Sequence, residues 1–130
     1  MDATENLRIA KSDRDTWLMG DCYNDVTGRW NFDTLLLDSC LGDERGEFAW
    51  GGSEFTEDAY NIRFNAHEGA SDQPILRAEL RDSAGRFHEK DKNLSERIKN
   101  TTERAQQSER GPNGHYDYLT AILLLHRIKG

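Results

Sequence analysis

The groups in this chain that could do chemistry are 24 carboxylates, four histidines and two cysteines. Their spacing points away from catalysis. A glycosidase needs two carboxylates at a set separation across a cleft. Among so many acidic residues no pair stands out, and a solvated acidic surface explains them better. His67, His88, His115 and His126 are scattered, with no His or Cys partner at helical spacing, so no zinc site is expected. Cys22 and Cys40 fit neither a metal spacing nor a CxxC motif, and two reduced, buried thiols are the expected state, although pairing would be chemically allowed. No nucleophile elbow, phosphate loop or dinucleotide fingerprint occurs, and nothing helical with a Lys follows Gly51-Gly52. The expectation is a protein that is not an enzyme and uses neither metal nor cofactor.

Binding is better served. Gly42, Asp43, Glu44 and Arg45, with Ser53, Glu54, Glu57, Asp58, Arg81, Asp82 and Ser83, crowd the segments between apolar stretches. A sugar presents hydroxyls that both donate and accept. A carbohydrate site therefore needs convergent carboxylates, amides, hydroxyls and guanidinium groups. The competing explanation is that turns favour Asn, Asp, Gly and Ser for geometric reasons alone, and composition by itself does not displace it.

These segments are positioned by a repeat. Asn6-Leu7-Arg8-Ile9 recurs as Asn61-Ile62-Arg63-Phe64, Gly28-Arg29-Trp30 as Gly85-Arg86-Phe87, and Gly46-Glu47-Phe48-Ala49-Trp50 as Gly114-His115-Tyr116-Asp117-Tyr118. The apolar run from Trp17 recurs from Ile75, and that from Leu37 recurs from Leu94. The shift is 55 to 58 residues, widening to 68 at the last block. Duplicated units stack or interleave, so the fold must be read from both together. Within a unit, residues 6–9 are extended. Residues 16–22 and 29–32 form a hairpin about a turn at 24–28. Residues 35–37 are extended, 38–41 form a 3₁₀ turn, 43–46 a turn and 47–50 a strand. Two features break the repeat. Eleven extra residues, 101–111, are rich in Thr, Glu, Arg, Gln and Ser, and an apolar tail follows over 120–130.

At 130 residues the chain is expected to be one domain. Mean hydropathy is −0.88 and charged residues make up 32%, but three Trp, four Tyr and five Phe sit mostly at recurring positions, where a core would use them. The net charge of −7 opposes binding to phosphate backbones or anionic lipid and suits a neutral ligand. The N-terminus lacks the basic start and apolar centre of a signal peptide, which gives the expectation of a cytoplasmic protein or a mature form. No apolar run reaches membrane-spanning length.

The run Leu35-Leu36-Leu37-Asp38-Ser39-Cys40-Leu41-Gly42-Asp43, with Gly46-Glu47-Phe48-Ala49-Trp50-Gly51-Gly52-Ser53-Glu54-Phe55, resembles the cyanovirin-N homologue (CVNH) family. So do Asp58-Ala59-Tyr60-Asn61-Ile62-Arg63-Phe64 and the run from Pro74 to Phe87 leading into Asn93-Leu94-Ser95. The resemblance covers residues 2–119 apart from the insertion. It implies a mainly β, elongated, bilobal fold of triple-stranded sheets, exchanged hairpins and short 3₁₀ turns. Lobe A would comprise about 1–38 plus 93–119 with the insertion 101–111, and lobe B about 39–92. It implies a metal-independent lectin for mannose-rich oligosaccharides, with neither nucleic acid nor membrane as partner, as a monomer or a domain-swapped dimer.

Carried over position by position, the lobe B pocket would use Gly42, Asp43, Arg45, Ser53, Glu54, Glu57, Asp58, Arg81, Asp82 and Ser83. The lobe A pocket would use Thr4, Tyr23, Asn24, Asp25, Asn100, Thr101 and Asn113, beside Asp2 and Ala3, and is expected to be altered or lost because the insertion opens at its wall. The disulfide positions of the founding member fall at Thr4 with Cys22 and at Ala59 with Leu80, so neither bond can form. That fits an intracellular type. The alternative function is a protein-interaction module that keeps the lectin fold and uses the insertion and tail.

Overall fold

A computed structural model describes residues 4–98. The insertion 101–111, the tail 120–130, and Asn100, Thr101, Asn113 and the block 114–118 lie outside the described residues. The described part is built from three antiparallel sheets joined by 3₁₀ turns. Strands β1 (Thr4–Lys11), β2 (Thr16–Asn24) and β3 (Arg29–Leu36) form the first, in that order. Strands β4 (Leu41–Glu44) and β5 (Glu47–Trp50) form a hairpin, and β6 (Ala59–Glu68), β7 (Gln73–Arg81) and β8 (Phe87–Asn93) form the third sheet. Short 3₁₀ turns cover Leu37–Ser39, Phe55–Asp58 and Leu94–Glu96.

The two central strands show why these residues form sheets. On β2, Thr16, Leu18 and Gly20 are buried in alternation, and on β7, Pro74, Leu76, Ala78 and Leu80 are. Period-two burial is the mark of a strand with one face on a core. Pro74 sits near the start of β7, where the missing N–H costs the ladder least. Leu35, Leu37, Leu41, Phe48, Phe55, Ile62, Leu94 and Ile98 complete the core, with Cys40 among them. The edge contact of Phe48 on Phe55, with centroids 5.6 Å apart, fixes the β4–β5 hairpin to the second 3₁₀ turn.

The duplication is visible in the backbone. Asn6 and Asn61 both take left-handed φ, at 56° and 54°, and each sits where the strand register slips, between Glu5 and Arg8 and between Tyr60 and Arg63. These are matched β-bulges, with Asn tolerating a conformation other L-residues resist. The following Arg closes each bulge: Arg8 donates to the carbonyl of Asn6 at 2.7 Å and Arg63 to that of Asn61 at 2.9 Å. The Asn-Leu-Arg and Asn-Ile-Arg blocks are therefore bulge motifs within longer strands, not the short extended segments expected. Likewise the strand expected over 29–32 continues to Leu36, and the first 3₁₀ turn starts one residue earlier than expected.

The buried Asp38 ties three elements together. One carboxylate oxygen accepts from the Thr16 N–H at 2.7 Å and the Thr56 hydroxyl at 2.8 Å, and the other accepts from the Thr56 N–H at 2.9 Å. The two threonine hydroxyls lie 2.8 Å apart. A buried carboxylate is tolerable only when its lone pairs are met in this way.

Thr4 pairs with Cys22 across β1–β2, and Ala59 with Leu80 across β6–β7. The positions assigned to the two lost disulfides are thus direct cross-strand partners. Cys22 is half-buried, rather than buried as expected, and Cys40 is buried; both are free thiols.

Candidate functional site

The tip of the β4–β5 hairpin is a two-residue turn, Arg45-Gly46, with φ of 55° and 86°. Positive φ at both central residues is the type I′ geometry that matches strand twist. Gly suits the second position. Arg45 is an unusual residue for the first, and it places a guanidinium at the tip. Asp43 holds the turn from below by accepting the Gly46 N–H at 2.8 Å. Gly46 packs close on β8 and the turn before it: a Cβ there would lie 3.1 Å from the His88 ring and 3.2 Å from Asp82. Glu47 and Lys90 pair across the same junction at 3.6 Å. The hairpin of the first repeat therefore packs on the sheet of the second.

That packing forms a shallow concavity of roughly 220 Å³ lined by Asp43, Arg45, Asp58, Arg81, Asp82 and Ser83. The Arg81 guanidinium meets Asp58 at 2.5 Å. Asp82 is the organising residue of the turn at 82–85. One oxygen accepts the N–H groups of Ala84 at 2.8 Å and Arg86 at 2.9 Å, and the other meets the His88 ring at 2.6 Å. The His88 contact and those two N–H groups hold the Asp82 carboxyl down to about 2. Asp43 is raised, because burial outweighs the N–H groups of Gly46 and Arg81 that stabilise its charge, and the Asp58 charge adds to the rise. Arg45 and Ser83 form no hydrogen bond or ion pair among the described residues, so their donors face the concavity unspent. Three carboxylates and two guanidinium groups nearly cancel in charge. The surface can donate and accept at once, which is what a neutral polyhydroxylated ligand requires.

Six of the ten lobe B candidates thus meet in one concavity. The other four, Gly42, Ser53, Glu54 and Glu57, form an adjoining cluster. Gly42 bridges Glu54, and a Cβ on Gly42 would lie 2.8 Å from the Ser53 amide nitrogen. Gly42 is there because two backbones cross at contact distance. Glu54 takes φ of 64° and its carboxyl is raised, chiefly by a hydrogen bond shared with Glu57. Of the lobe A candidates, Tyr23 and Asn24 end β2, and the Asn24 side chain caps its turn by accepting from Val26 at 2.9 Å and Thr27 at 3.1 Å. Asp25 lies in that turn. Thr4 instead lines a second concavity of roughly 300 Å³ with Glu5, Asn6, Leu7, Ala66, His67, Ser71 and Asp72. Sequence reasoning missed this one, since it joins the start of β1 to the β6–β7 turn. It missed His88 as well, whose only signal was its place five residues after the Ser83 candidate. Among the described residues no group of three His, Cys, Asp or Glu could hold a metal, and no helix is long and apolar enough to cross a membrane.

Two repeats with matched bulges and 3₁₀ turns, and a shallow polar pocket where a hairpin meets the other repeat's sheet, define a repeat-built β-protein of the cyanovirin-N type. The CVNH domain family matches residues 2–103. A cyanovirin-N homolog of Neurospora crassa is 46% identical over 96 residues, covering 74% of this chain and 86% of the relative. The solved structure of the N. crassa protein superposes with a TM-score of 0.70 at 44% identity, covering 78% of this chain and 90% of that one. A designed cyanovirin-N homolog lectin, LKAMG, gives 0.68 at 45% identity over 76% and 89%. The chain belongs to the CVNH family, a family of carbohydrate-binding lectins and not of enzymes.

Proposed function

We propose that this chain is a lectin for mannose-rich oligosaccharides, bound through the pocket of Asp43, Arg45, Asp58, Arg81, Asp82 and Ser83, with the opposite pocket altered or lost. The observation that carries the reading is the near-neutral pairing of guanidinium and carboxylate groups there, with the donors of Arg45 and Ser83 unspent. Packing of β4–β5 on β8 supports a lobe over 39–92 that owns this pocket. Two more distant fold relatives, at 21% and 17% identity, are microvirin in complex with mannobiose and a MoCVNH3 variant in complex with (N-GlcNAc)4. They share the fold and leave the choice between mannose and N-acetylglucosamine to experiment.

Titration of mannobiose, oligomannose and chitin oligomers, followed by amide NMR and calorimetry, tests the reading. Shifts concentrated at residues 43–45, 58 and 81–83 on adding mannose oligomers are expected. Arg81→Ala removes a charge-assisted contact of about 1.5–3 kcal/mol, and should weaken binding at least tenfold. An unperturbed spectrum across the panel would sink the proposal.

A further inference from the structure

The exposed large apolar side chains of the described residues are Val26, Trp30, Phe32, Tyr60 and Phe87. Two of them, Tyr60 and Phe87, form a ring pair at the rim of the candidate pocket. Phe87 lies directly opposite Arg81 on β7–β8, and Tyr60 lies opposite Glu79 on β6–β7, two residues after Asp58. Cross-strand partners share a face, as do residues two apart on one strand. Tyr60, Phe87, Glu79 and Arg81 are therefore on one face of the sheet. The two rings reach over β7 to a centroid separation of 4.8 Å with an interplanar angle of 51°, while remaining 65% and 40% exposed. The rest of this face is ionic: Arg63 pairs with Glu89, and Arg77 with Glu68. The aromatic surface is thus confined to the end of the sheet beside the Arg81–Asp58 pair.

The first repeat carries a different ring pair: Tyr23 and Trp30 are direct cross-strand partners flanking the turn at 24–28, with ring centroids 5.2 Å apart at 53°. An exposed ring pair contiguous with a polar pocket, as Tyr60 and Phe87 form, matches what a sugar presents. A pyranose carries hydroxyls on its rim and a patch of polarised C–H groups on its face. The negative face of an aromatic ring attracts those C–H groups as it attracts other positive edges. Two rings tilted by about 50° make a shallow trough of one sugar's width, too small for a protein interface, which needs about 800 Å² per partner.

We propose that Tyr60 and Phe87 form a stacking subsite that takes the next sugar of an oligosaccharide whose first residue sits in the Arg81 pocket. The inference rests on the carbohydrate reading of that pocket, and its test separates the two. Wild type, Tyr60→Ala and Phe87→Ala are titrated with methyl mannoside, which fills the pocket alone, and with a linear mannotetraose. The variants should keep methyl mannoside affinity within twofold and lose tenfold or more for the tetramer. Tetramer affinity unchanged in both variants overturns the subsite while leaving the pocket standing. Equal losses for both sugars also overturn it, since the rings would then belong to the first sugar's site. A wild type that binds neither sugar removes subsite and pocket together. If a variant fails to fold, the wild-type complex decides. Upfield ring-current shifts of sugar C–H protons with contacts to the Tyr60 and Phe87 rings are expected, and their absence in a bound tetramer refutes the proposal.

Discussion

Replacing Asp38 tests what holds the first repeat to the second 3₁₀ turn. The carboxylate is fully buried and serves the N–H groups of Thr16 and Thr56 and the Thr56 hydroxyl. Asp38→Ala leaves both N–H groups buried without an acceptor, at about 1–3 kcal/mol each. The two hydroxyls still have each other at 2.8 Å, so the third lost bond adds little. The expected loss is about 3–4 kcal/mol, a large share of a total of about 5–15 kcal/mol. For a domain of this size it lowers Tm by about 10–20 °C. Asp38→Asn is the sharper probe. Whichever way its amide is turned, one backbone N–H faces an NH₂ group instead of an oxygen. Asn should therefore recover little and cost about 2 kcal/mol or more. Thr56→Val, which removes only a hydroxyl, should cost about 1 kcal/mol. Urea unfolding followed by Trp fluorescence measures all three. An Asp38→Asn protein within about 0.5 kcal/mol of wild type would refute the reasoning, because that is the scatter of an ordinary surface substitution.

The Asp82 carboxyl, held down to about 2 by His88 first and then by backbone N–H groups, has a definite pH signature. A depressed native value favours the folded state above the unfolded value near 3.8. That contribution fades as pH falls from there through about 2. Carboxyl-carbon NMR should give Asp82 a midpoint near 2, and His88→Phe should move it upward; a wild-type midpoint near 3.8 contradicts the geometry. Burial, with Asp33 and Asp21 adding, pushes the Cys22 thiol up to about 11, and burial with Asp38 pushes Cys40 up to about 12. Since the thiolate is the nucleophile, alkylation of Cys22 at pH 8 should be about 100-fold slower in the native protein than in denaturant, and Cys40 slower still. Native labelling at the denatured rate would count against both placements.

The elements best read from sequence were those set by local signals. Turn chemistry and period-two alternation located both central strands, the turn at 24–28 and strand β5, whereas β4 was missed because residues 38–41 read as a 3₁₀ turn and 43–46 as a turn. The bulges at Asn6 and Asn61 were written in the sequence as an Asn-apolar-Arg block, but the block reads as plain strand until the left-handed φ of Asn is seen. The pocket was half legible. Asp43, Arg45, Asp58, Arg81, Asp82 and Ser83 were nominated by residue type and family likeness, yet Gly42, Ser53, Glu54 and Glu57 were nominated by the same argument and pack beside them instead. The concavity itself is assembled by the long-range packing of Gly46 on Asp82 and His88. Pattern within a segment cannot supply such a contact.

The same distinction explains how the two repeats diverged. Backbone devices that depend only on neighbours are kept: the bulge with its Arg, and the 3₁₀ turn at Leu37–Ser39 and Leu94–Glu96. Side chains that reach outside their own repeat are not. Asp38 grips Thr16 and Thr56, whereas Ser95, in the matching place, bonds to Asn93 and Gln73. The ends of the central strands differ most. Trp30 and Phe87 occupy matching places, and their cross-strand partners are Tyr23 and Arg81. Where the second repeat offers a guanidinium paired to Asp58, the first offers a ring packed on Trp30. A phenol cannot replace a guanidinium as a multiple donor to sugar hydroxyls. The substitution therefore supports one polar pocket beside Arg81 and a different, more aromatic surface beside Tyr23, rather than two copies of one site.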